Sequence, residues 1–130
     1  MYGHDLVSTS YVFETPSQAS RFMSAISSTN LKCLRASVEF TKNGTKGNEV
    51  SAGSNRLPQL VEHLADAQVH VRVVTVSESK WVADWYFESI YLQQGRTVGE
   101  LVYSSLNQAD HSGSVHFASI VANRIKSHAR

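Results

Sequence analysis

The segment Trp81–Leu106, WVADWYFESIYLQQGRTVGELVYSSL, constrains the fold more than any other. Two apolar, strand-like runs meet at Gln94-Gly95-Arg96, where a glycine supplies the positive φ that a tight turn needs. The pattern predicts a β-hairpin, and therefore an antiparallel sheet built around it. Its aromatic side chains, Trp81, Trp85, Tyr86, Phe87, Tyr91 and Tyr103, fall on both faces of such a hairpin. That is more than a sheet with one buried face requires.

The remaining elements follow from periodicity and punctuation. Leu6–Glu14 is rich in β-branched and aromatic residues and reads as a first strand. Thr15-Pro16-Ser17-Gln18 combines a capping-box pair, Thr15 and Gln18, with proline at the first helical position. Ala19, Phe22, Met23 and Ile26 then mark one face of a helix that should stop near Ser28-Thr29-Asn30. Leu34, Ala36, Val38 and Phe40 alternate with polar residues as in a half-buried strand. Thr41–Asn48 reads as an exposed hairpin loop, with Glu49–Asn55 as its return strand. Leu57–Leu64 suits one or two helical turns, and Ala65-Asp66-Ala67 a turn. Val69, Val71 and Val73 alternate with His70 and Arg72 in a further strand. From Asp110 the period becomes helical, with Ser112 or Ser114 as cap. Val115, Ala118, Ala122 and Ile125 form its apolar face, widened by Phe117, Ile120 and Val121.

The order of elements predicts an α+β fold. An antiparallel sheet of about five or six strands is packed by an N-terminal-half helix and a C-terminal helix, both on one sheet face. Residues 1–130 make a single domain, with no internal repeat and no linker long enough to divide it.

Composition narrows function mainly by exclusion. Twelve Lys and Arg against eleven Asp and Glu give a net charge of +1, with no basic field for nucleic acid, and no run of residues is apolar enough for a membrane span. Cys33 is the single cysteine, so neither an internal disulfide nor a multi-cysteine zinc site is available. The six histidines show no metal-ligand spacing, and no cofactor motif is present, so the expectation is no metal and no cofactor. Asp84 and Glu88 share a strand face with Tyr86 and read as acidic residues on the wet side of the hairpin.

The aromatic surplus points instead to binding. Tyr and Trp combine apolar area with a polar handle, which makes Trp85, Tyr91 and Tyr103 candidate ligand contacts. His70 and Arg72 on the neighbouring strand are their candidate polar partners.

The succession YVFETPSQASRFMSAI, VHVRVV, YLQQGRTVGELVYSSL and ASIVANRI resembles the extracytoplasmic sensor-type domain of mycobacterial receptor Ser/Thr kinases and of related actinobacterial lipoproteins. The positions that carry the resemblance are Phe13, Ala19, Phe22, Cys33, Gly95 and Arg96. Those domains pair their cysteines, whereas Cys33 stands alone here. The resemblance implies a binding or sensing module outside the cytoplasmic membrane, with no catalytic residues to carry over. The expected function is therefore non-enzymatic recognition of a small molecule or a protein. Two alternatives stand beside it. One is a small open-cone α+β enzyme whose pocket, lined by Trp85 and Tyr103, uses Asp84, Glu88 or His70. The other is a structural domain that self-associates, as a homodimer, through the edge of this hairpin, since exposed strand edges template association.

Overall fold

A computed structural model describes residues 4–27, 36–42, 45–50, 63–75, 85–106, 108 and 110–128. The elements run β1 (His4–Val12), α1 (Pro16–Ser27), β2 (Ala36–Lys42), β3 (Thr45–Val50), β4 (Ala67–Thr75), β5 (Trp85–Gln94), β6 (Thr97–Leu106) and α2 (His111–His128). The fold is α+β with an antiparallel sheet, as the sequence predicts. Its packed body is the set β1-β6-β5-β4, and the backbone of β2 and then β3 continues from the β4 edge.

The hairpin forms where glycine allows it. β5 and β6 pair without a break from Gln94↔Thr97 to Trp85↔Leu106, and Gly95 between them has φ 59°. A Cβ at Gly95 would meet nothing within 4 Å, so the backbone conformation and not space requires glycine there. Trp81 and Asp84 lie outside the described residues, as do Cys33, Leu34 and residues 51–62.

The capping box of α1 closes as its sequence dictates. The Gln18 N–H donates to Thr15 Oγ1 (3.2 Å), while Gln18 Oε1 accepts from the N–H groups of Thr15 (3.3 Å) and Glu14 (3.0 Å). β1 ends at Val12 and not at Glu14, because Glu14 has left the ladder for this cap and the Phe13 N–H makes a last bond to Arg96 O (2.9 Å). Gln93 ties the helix to the hairpin: its Nε2 donates to Ser20 Oγ (3.1 Å), Pro16 O (3.3 Å) and Gly95 O (2.9 Å).

Three sequence expectations are corrected. The two helices do not share a sheet face. α1 packs through Ala19, Met23 and Phe22 on Val69, Tyr91 and Val98, whereas α2 packs through Ala118, Val121, Ala122 and Ile125 on Ile90, Leu92 and Leu101. Adjacent residues of β5, Ile90 and Tyr91, thus belong to opposite faces, as strand period 2 requires. Helices on both faces account for the apolar and aromatic side chains found on both faces of β5.

Second, β2 runs to Lys42 and β3 starts at Thr45, so the expected loop Thr41–Asn48 is mostly ladder, with Lys42↔Thr45 and Thr41↔Lys46 opposed. Pairing satisfies backbone groups that a loop would leave to solvent. Third, α2 is capped by Asp110, not by Ser112 or Ser114: Asp110 Oδ1 accepts the Gly113 N–H (3.0 Å) and its carbonyl accepts the Ser114 N–H (3.1 Å). Ser114 is fully buried, and Ile120, placed on the apolar face from sequence, is 38% exposed.

Candidate functional site

Antiparallel pairing lines up one row of side chains across the α2-bearing face of the sheet. Arg72 of β4 opposes Glu88 of β5, Glu88 opposes Tyr103 of β6, and Tyr103 opposes Leu6 of β1. Neighbours in such a row lie within reach of one another. Both Arg72 Nη2 (2.6 Å) and Arg72 Nε (3.1 Å) donate to the same oxygen, Glu88 Oε1. Arg72 is 3% and Glu88 1% exposed, so this is a buried ion pair. His70, wholly buried, places Nε2 3.8 Å from that oxygen. Glu88 is not on a wet face, as the hairpin pattern suggested: the charge of Arg72 is what permits its burial. Glu88 Oε2 has no hydrogen-bond partner among the described residues.

Toward β1 the row ends in a second polar group. Tyr103 donates its phenolic hydrogen to Asp110 Oδ2 (2.6 Å), and His4 Nδ1 lies 3.1 Å from the same phenol oxygen. The Tyr103 ring lies 5.7 Å from the His4 ring in a stacked arrangement, and 5.8 Å from Phe117 of α2. Asp110 therefore has two tasks: one oxygen caps α2 and the other fixes Tyr103. Its short side chain directly before the helical period was the available sequence signal.

Burial, followed by the hydrogen bond to Asp110 and its negative charge, pushes the Tyr103 phenol from 10.0 up to about 12. A folded-state pKa above the unfolded one means that the native state holds this proton more firmly. The corresponding stability is complete below pH 10 and is lost as pH rises from 10 toward 12. Tyr103→Phe should accordingly flatten the alkaline limb of a melting-temperature profile. A limb of unchanged steepness would show that Tyr103 does not titrate there.

The other face holds a separate aromatic group. Tyr91 packs edge-on against Phe22 (6.3 Å), and Phe22 also meets Tyr11 (5.2 Å) and Phe13 (5.3 Å). Tyr11 donates to Glu100 Oε2 (2.7 Å), which raises its pKa, while burial raises that of Tyr91. Trp85 lies on this same side, stacked on Phe87 at 6.1 Å.

The five candidates read from sequence therefore divide. His70, Arg72 and Tyr103 share the α2-bearing face, and Trp85 and Tyr91 the opposite one. No single pocket can be lined by Trp85 and Tyr103, because the sheet lies between them. Glu88, Asp110 and His4 complete the group around His70, Arg72 and Tyr103. Among the described residues, no three His, Cys, Asp or Glu side chains could hold a metal ion, and no helix is long and apolar enough to cross a membrane. The chain matches no family model, no curated protein and no solved structure.

Proposed function

We propose that the chain is a non-enzymatic, sensor-like binding domain that works outside the cytoplasmic membrane and takes a small molecule on the α2-bearing face. In this reading the sheet extends to six strands, with β2 and β3 at the edge beyond β4. The observation that carries the proposal is the acceptor Glu88 Oε2, unpartnered among the described residues on a side chain 1% exposed, beside an oxygen that already receives both Arg72 bonds. An unsatisfied buried acceptor costs about 1–3 kcal/mol, which a ligand donor would offset. Arg72 and Glu88 already balance in charge, so the matching donor is neutral, a hydroxyl or an amide. Tyr103, His4 and Asp110 supply polar contacts at the β1 end of the row.

The test is a thermal-shift and NMR titration with a set of small polyols and primary amides. At least one compound should raise the melting temperature and shift the backbone resonances of Arg72, Glu88 and Tyr103. The melting shift should vanish in Glu88→Gln and persist in Trp85→Ala. Absence of any binder, or binding that perturbs only the Trp85 face, would overturn the assignment.

A further inference from the structure

We propose that the outer edge of β1 is a self-association surface, on which two copies of the chain pair their β1 strands antiparallel about a two-fold axis at Ser8. The hairpin edge expected from sequence is not free, because β6 is covered by β1 and β5 by β4. Among the described residues it is β1 that ends the sheet, paired only with β6 in an unbroken register of nine residues from His4↔Ser105 to Val12↔Thr97. The bond from the Phe13 N–H to Arg96 O fixes which backbone groups face outward. Phe13 and Arg96 are the next opposed pair of that register, so Phe13 is a hydrogen-bonded position. In an antiparallel ladder such positions alternate. Tyr11, Thr9, Val7 and Asp5 therefore point their backbone groups at β6. Val12, Ser10, Ser8, Leu6 and His4 point theirs at the free edge.

An edge of this kind is normally guarded by lysine, proline, a bulge or brevity. β1 has no Lys, Arg or Pro, no register shift, and nine residues where a typical strand has about five or six. Its apolar side chains also lie open, with Leu6 at 44%, Val7 at 58% and Val12 at 67% exposed.

The occupant is argued from register. Two strands of one sheet must oppose residues of the same face, and a two-fold axis at Ser8 satisfies this along the whole strand. His4 then opposes the partner's Val12, Leu6 opposes the partner's Ser10, and Ser8 opposes the partner's Ser8. Each is a pair of outward-facing residues that can exchange both backbone bonds. Moving the axis to a neighbouring position of either face leaves end residues unpaired. The only formally charged residue of β1, Asp5, opposes the partner's Tyr11, so no like charges meet.

Sedimentation velocity across a wide concentration range should show a reversible monomer–dimer equilibrium for the intact chain. Ser8→Lys sets two ammonium groups opposite each other at the axis on an exposed position. It should abolish the dimer while leaving the circular dichroism spectrum and the melt of the monomer unchanged. Ser8→Cys should form a disulfide-linked dimer on mild oxidation, because hydrogen-bonded antiparallel partners have Cα atoms about 5.5 Å apart. Ser10→Cys should not, since its two copies stand offset by about 13 Å along the strands. The unsubstituted chain, which keeps Cys33, is the control. A chain that stays monomeric throughout overturns the proposal, as does a dimer that survives Ser8→Lys. Failure of Ser8→Cys to cross-link overturns the register.

Discussion

Arg72→Ala lowers the free energy of unfolding by about 4 kcal/mol at neutral pH, read from urea denaturation, because it strands the Glu88 carboxylate inside the protein. Both guanidinium donors converge on Glu88 Oε1, and both side chains are almost fully buried. The loss is thus the desolvation of a charge with no counter-charge, and not the modest value of a solvated surface pair. Glu88→Ala strands the cation instead and should cost a similar amount. The pair Arg72→Met with Glu88→Leu removes both charges and keeps the volume, and should recover most of the loss. A single-variant loss below about 1 kcal/mol would mean that water reaches the pair.

Gly99→Val lowers stability by about 3 kcal/mol by driving α2 off the sheet. A Cβ at Gly99 would stand 2.6 Å from Val121 Cγ1 and 3.3 Å from Ile125 Cγ2, and both residues are buried in the α2 interface. Val121 is β-branched and held on a helix, so it has little rotamer freedom to withdraw. Two further methyl groups at position 99 deepen the clash. Gly99→Ala should cost less, and Val121→Ala combined with it should recover part of that cost, a coupling that a double-mutant cycle measures directly. Additive effects of Gly99→Ala and Val121→Ala would place the two residues out of contact.

The parts of this fold that are legible in the sequence are those encoded over a few residues. Thr15 and Gln18 satisfy each other's backbone within one turn, and Gly95 is required by its own φ, so both could be read without tertiary knowledge. β4 shows where this ends. Alternation correctly separates Val69 and Val71 from His70 and Arg72, yet which set is buried depends on what covers each face. Here both are covered, and His70 and Arg72 lie deeper than Val71. The candidate site was half legible for the same reason. His70, Arg72 and Tyr103 stand out as polar side chains in apolar strands, but their grouping with Glu88 depends on the register of three strands.

What the sequence determines by itself is local: the hairpin turn, the capping box of α1, the period of the helices and central strands, and the antiparallel character of the sheet. Each rests on backbone geometry and hydrogen bonds between near neighbours. Only the tertiary structure decides that α1 and α2 lie on opposite faces, that Glu88 is buried against Arg72 while Trp85 is turned away from Tyr103, and that β1, not the hairpin, ends the sheet among the described residues. Those outcomes depend on contacts between residues tens of positions apart. A side chain's period says which neighbours share its face, but not what will come to lie on it.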